Sequence, residues 1–174
     1  LDRTPDGWGD LRVPPPPVRS DSAEVFNSMT RDGLMVFASY RGDGLRRIWS
    51  TRRDGHDRWS DPEPLDLGVG GEASNPAIAP DGSLLVLALT EGGRAPDLAV
   101  WCRTGAGAWR RGAPLPEAIN GPWAEFAPAV TDDHLWFTSE RPGVVREWPD
   151  SARRPGDLYR TDVAVARAAC PGGG

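Results

Sequence analysis

Apolar residues in this chain gather in short runs, "LMVFAS" at 34–39, "SLLVLALT" at 83–90 and "HLWFTSE" at 134–140. A polar turn precedes each run: Asp32–Gly33, Asp81–Gly82 and Asp133–His134. Runs this short, flanked by turn formers and rich in β-branched and aromatic residues, predict strands rather than helices. Asp-Gly between apolar runs predicts a tight hairpin, and a two-residue type I′ turn needs positive φ at both central residues. His134 breaks that pattern, so the third turn is expected to be of another type. Only "VAVARAA" at 163–169 fits a helical period, and β-branched Val163 and Val165 suit a strand equally well.

The turns recur with a period of about 50 residues, in the range of propellers and arrays. A Gly-bearing polar loop follows each apolar run and leads to a third strand. That strand carries an aliphatic–aromatic pair, read as Ile48–Trp49, Val100–Trp101 and Leu158–Tyr159. Two copies continue into a Trp-led fourth segment, "RWSDPEPL" at 58–65 and "AWRRGAPL" at 108–115, whose Trp59 and Trp109 are expected to be buried between units. Four short antiparallel strands per unit describe a propeller blade. The expected fold is all-β, a partial β-propeller of about three four-stranded blades, completed by further sequence or by a second chain. As one domain over 1–174, residues 1–20 supply the last strand of a preceding blade (around Trp8) and a Pro-rich loop. The first blade takes 21–68, the second 69–118, an incomplete third 119–167, and a Gly-rich tail 168–174.

With these residues in place, the chain resembles the WD40-like β-propeller repeat family of the TolB type. The likeness is carried by Glu125-Phe-Ala-Pro128, Leu135 to Ser139, Arg141-Pro142-Gly143 and Asp157-Leu158-Tyr159. The first copy keeps Glu24, Asp32–Gly33, Phe37, Ser39 and Arg41; the second keeps Asn75-Pro76 and Asp81–Gly82. Departures are Gly42-Asp43 in place of Pro-Gly, the loss of that loop from the second copy, and a long third loop. The resemblance implies a bacterial propeller of more blades than this chain encodes, and a periplasmic or extracellular address.

Composition narrows the function classes. Hydrophobic residues make up 39% and charged residues 26%, a globular balance. Gly 21 and Pro 18 are spread as punctuation, as many tight turns require. All basic residues are arginine, and a net charge of −5 without a basic stripe argues against nucleic acid as a partner. No apolar run is long enough to span a bilayer as a helix. The chain opens with neither Met nor a signal peptide and reads as a processed or excised piece. Cys102 and Cys170 permit one disulfide; a buried small residue and a free thiol near the tail are the alternatives.

The catalytic chemistries find little support. Only His56 and His134 exist, both in turns, and no nucleophile elbow accompanies them. Cys and His lack metal-ligand spacing, so neither metal nor cofactor is expected. Glu24, Glu72 and Glu125 recur ahead of the first strand of each unit, which points to a structural part rather than a catalytic pair. "STRRDGHDRWSDP" at 50–62 resembles the Asp-box of sialidases but fails on spacing. Arg41-Gly42-Asp43 spells an adhesion tripeptide, yet it occupies a loop of the repeat. The expectation is a non-catalytic binding or scaffolding module that engages a protein, peptide or glycan through loops on one face. A fragment of a sialidase-like propeller glycoside hydrolase is the alternative. Candidate ligand-binding residues are Arg41, Trp123, Glu125, Arg141 and Trp148, the tryptophans as stacking or anchoring groups.

Overall fold

The computed structural model describes residues 3–9, 13–55, 58–105, 107–142 and 156–172. The protein is all-β, with three antiparallel sheets of three or four strands each. A small hairpin precedes them, β1 (Arg3–Thr4) paired with β2 (Gly7–Trp8), where Trp8 is exposed. The first sheet runs in chain order: β3 (Glu24–Met29), β4 (Leu34–Ser39), β5 (Arg47–Arg52) and β6 (Glu63–Pro64). The second is β7 (Glu72–Ile78), β8 (Leu84–Thr90), β9 (Asp97–Arg103) and β10 (Trp109–Arg111). The third is β11 (Glu125–Val130), β12 (His134–Ser139) and β13 (Asp157–Asp162).

The second sheet lies in the middle. Its β7 touches β3, β4 and β5 on one side, while β11 touches β7, β8 and β9 on the other. Strand alternation sends Leu85, Leu87, Leu89 and Trp101 toward Val36, Ala38 and Ile48 of the first sheet. It sends Leu84, Val86, Leu98 and Val100 toward Leu135 and Phe137 of the third. A sheet buried on both faces reads as a continuous apolar run, which is why "LLVLAL" shows no alternation.

All three first strands are kinked at one place. The ladder shifts between Val25 and Ser28, between Ser74 and Ala77, and between Phe126 and Ala129. There Phe26, Asn75 and Ala127 take φ of 55°, 50° and 48°. Such a conformation costs a non-glycine residue roughly 1–2 kcal/mol, so the bulge is held by its surroundings. Pro76 and Pro128 follow directly, at positions where the ladder is broken and an N–H is dispensable.

The hairpin turns differ from the type I′ expectation. Gly33 and Gly82 have positive φ, whereas Asp32 and Asp81 do not. Gly33 N–H donates to Thr30 O at 3.2 Å and Gly82 N–H to Ala79 O at 2.8 Å, so each loop is longer than two residues and only its glycine is left-handed. The third turn carries no positive φ; His134 N–H donates to Thr131 Oγ1 at 3.0 Å. The three turns lie together. Arg31 N–H donates to Pro80 O at 2.9 Å, and the Arg31 guanidinium pairs with Asp132.

Within residues 163–169 a short helix forms, α1 (Ala164–Ala168), in which three alanines outweigh Val165. Arg167 pairs with Asp81 at 2.9 Å, and Cys170 forms a disulfide with Cys102 across 68 positions of sequence. Closing a loop of that length is worth about 4 kcal/mol in chain entropy. Gly112 makes the approach of this segment possible, since a Cβ there would fall 2.8 Å from Ala169 O and 3.4 Å from Cys102 Sγ.

Candidate functional site

Two of the sequence-predicted residues, Arg41 and Arg141, are the centres of matching polar clamps. In the third sheet Glu125 opens β11 opposite Ser139, the last residue of β12. Ser139 Oγ donates to Glu125 Oε1 at 2.7 Å, and Arg141 Nη2 reaches the same oxygen at 3.3 Å. Arg141 also donates through Nε to Ser139 Oγ at 2.9 Å and through Nη1 to Ala118 O at 2.7 Å, while Nη2 reaches Ile119 O. Its guanidinium lies 5.7 Å from the Phe137 ring and 5.0 Å from the Tyr159 ring.

The first sheet repeats this arrangement. Glu24 faces Ser39, and Arg41 Nη2 donates to Glu24 Oε1 at 2.9 Å. Arg41 donates further to the carbonyls of Pro17 and Val18, and lies 5.1 Å from the Phe37 ring and 5.4 Å from Trp49. Each clamp thus fastens the loop ahead of a sheet to the end of that sheet. Burial by itself raises the Glu24 carboxyl, but hydrogen bonds from Ser20 and Arg41 outweigh it and hold the group below its ordinary range.

The two clamps differ in one group. The Ser20 hydroxyl and N–H both serve Glu24, whereas Gly121 stands at the matching place before Glu125. Glu125 Oε2 is buried without a partner among the described residues. Half-buried Trp123 packs against Gly121, where a Cβ would lie 2.9 Å from Trp123 Cε3 and 4.0 Å from Glu125 Oε1. Trp148 lies outside the described residues, as does His56. The Arg41-Gly42-Asp43 tripeptide is divided between tasks, with Arg41 in the clamp and Asp43 paired to Arg47 at 2.5 Å.

In the second sheet the clamp is absent, and strand pairing shows why. Ala73 pairs with Leu89 where Glu24 pairs with Ser39 and Glu125 with Ser139. Glu72 is one residue out of phase; it is exposed and reaches Arg46 of the first sheet instead. The Val100–Trp101 pair is likewise out of phase. Trp49 and Tyr159 face Phe37 and Phe137, and the matching residues of the second sheet are Ala99 and Leu87. Where Arg41 and Arg141 follow their serines by two residues, Glu91 follows Leu89. The loop carbonyl that the arginines serve is that of Leu67 here, and Trp101 Nε1 donates to it at 3.0 Å. Trp59 and Trp109 do hold matching places, bridged to Arg53 and Arg103, but both are half-buried rather than buried.

Ala99 is among the residues that line a cavity of about 580 Å³ beside the second sheet. Leu89, Leu98 and Ala99 line it together with Glu91, Arg94 and Asp97. Arg111 forms a two-pronged pair with Glu91 at 2.9 and 2.8 Å, which holds the Glu91 carboxyl below its ordinary range. Burial pushes the Asp97 carboxyl up, and the nearby Arg94 offsets only part of that. Asn120 closes one edge, donating to Leu98 O at 2.8 Å and accepting from Leu98 N–H at 3.0 Å. Sequence reading missed these residues because the fold brings them together from the loop before β9, from β9 itself and from residues 111–114 and 120.

Away from the cavity, the Thr30 hydroxyl and the Arg52 guanidinium hold Asp32 at about 2, below its ordinary 3.8. A depressed carboxyl stabilises the fold above its unfolded-state value and loses that contribution as pH falls through the folded one. Asp32→Asn is therefore expected to melt below the parent at pH 5, with the gap closing between about pH 4 and pH 2. A gap independent of pH in thermal melts would contradict the assignment. The effect is small, because the Asp32 side chain is 68% exposed.

Among the described residues, no group of three or more His, Cys, Asp or Glu is placed to hold a metal ion. Nor is any helix among them long and apolar enough to cross a membrane. The fold and the clamps define an all-β protein of three antiparallel sheets with internally paired arginines. In comparisons with known proteins, no family model and no curated protein matches the chain.

Proposed function

We propose that the three sheets are blades of a partial β-propeller of the WD40-like TolB type, and that the chain is a non-catalytic binding or scaffolding module. Its ligand is a protein, peptide or glycan engaged through the loops of one face. The observation that carries this reading is the use made of the recurring charged residues. Glu24, Arg41, Glu125 and Arg141 are consumed inside clamps, where they fasten loops to sheets. Catalytic carboxylates must reach a substrate, whereas Glu125 is fully buried. The strand order supports the propeller: each sheet is a meander in chain order, and its first strand contacts the first strand of the next. The disulfide supports an oxidising compartment, periplasmic or extracellular.

The deciding assay is hydrolysis of aryl glycosides, esters and phosphates by the purified chain. No turnover above background is expected. Turnover that vanishes in Glu24→Ala or Glu125→Ala, with the variant still folded, would overturn the reading in favour of a glycoside hydrolase fragment.

A further inference from the structure

The cavity beside the second sheet is the counterpart of a place that the other two sheets fill with an aromatic ring. Strand pairing puts Ala99 at the station of Trp49 and Tyr159. The glycines of the loops agree. Gly42 follows Arg41 as Gly92 follows Glu91, and both have positive φ. A Cβ on Gly42 would meet Trp49 Cζ2 at 3.9 Å, while a Cβ on Gly92 would meet nothing within 4 Å. Gly92 and Ala99 both line the cavity of the second sheet.

We propose that this cavity binds a planar aromatic ring of indole or phenol size, supplied from outside the second sheet. Three observations fix the class of ligand. Part of the lining, from Leu89 and Ala99, is apolar. The volume of about 580 Å³ is in the range of small-molecule sites. A cation is at hand: Arg94 lines the cavity, and its side chain donates no hydrogen bond to a described residue. Arg94 is thus available to lie on a ring face as Arg41 lies on Trp49 and Arg141 on Tyr159. Glu91 and Arg111 satisfy each other at the rim, so a neutral ring leaves that pair intact. This deepens the binding-module reading by naming a ligand chemistry for one site. The hydrolysis assays decide that reading, and the experiment below decides this one.

The full chain, isotopically labelled, is titrated with indole and with N-acetyltryptophanamide, with cyclohexanol as a non-aromatic control. Saturable shifts of the Gly92, Ala99 and Asn120 resonances are expected, with Gly42 unmoved because its ring is already in place. A response to both probes assigns a free small aromatic; a response to N-acetyltryptophanamide alone assigns an aromatic side chain of a peptide. Ala99→Trp and Ala99→Tyr supply the ring internally, and are expected to raise the melting temperature and abolish the response. The proposal is overturned if neither aromatic probe gives a saturable shift, or if cyclohexanol gives the same one. It is equally overturned if the ring-bearing variants still respond, or if both fail to fold, since the cavity would then have no room for a ring.

Discussion

Trp101→Ala is expected to lower the unfolding free energy by about 3–5 kcal/mol, the cost of removing a large buried aromatic side chain. Trp101 is fully buried between the first and second sheets, and its indole N–H is the donor to Leu67 O. The alanine variant therefore opens a cavity and also strands a carbonyl in an apolar place. Trp101→Phe separates the two losses, keeping most of the ring while removing the donor. Half-buried Trp59 and Trp109 are expected to cost less on truncation. Urea denaturation of the three alanine variants checks the order. If Trp101→Ala unfolds at the same urea concentration as Trp109→Ala, the assignment of Trp101 as the replacement for a clamp arginine fails.

Arg141→Ala should cost nearly as much, about 3–5 kcal/mol, because removing one partner of a buried pair leaves the other uncompensated. Arg41→Ala should cost less. The Glu24 side chain is 20% exposed and keeps its bonds from Ser20, whereas Glu125 is 0% exposed and would retain only Ser139. The second sheet suggests the repair. Ala73 and Leu89 stand there where the others have Glu and Ser, and that sheet packs without a clamp. Glu125→Ala combined with Arg141→Ala is accordingly expected to recover part of the loss of Arg141→Ala alone. Equal destabilisation by Arg41→Ala and Arg141→Ala, or no recovery in the double variant, would show that burial of the carboxyl does not set the cost.

The apolar runs at 34–39, 83–90 and 134–140 announce their strands, because a strand's side chains and its flanking turns are local matters. Phase between sheets is not local. Glu72 and Trp101 match their supposed counterparts in residue type, yet the ladder places them one and two residues away from those stations. Chemical likeness over a few positions cannot count a bulge or an extra loop residue; pairing can. The clamps were half legible, since Arg41 and Arg141 stood out while their serine and carbonyl partners needed the fold. Cys102 and Cys170 lie too far apart in sequence for their union to be read without it. The cavity was the least legible feature, because its lining comes from separate stretches of the chain.

The disulfide also decides how load passes through the molecule. The third sheet and α1 lie wholly between Cys102 and Cys170, inside a closed covalent ring. Tension applied at the two ends travels from residue 170 directly to residue 102 and bypasses β10, β11, β12 and β13. Stretched under oxidising conditions, the chain yields through its first sheet and β7 to β9 of the second, while β10 and the third sheet stay slack. A reductant would place the ring's 68 positions in the path of force and add roughly 230 Å of extensible length. The third sheet is thereby made mechanically silent for as long as the bond stands.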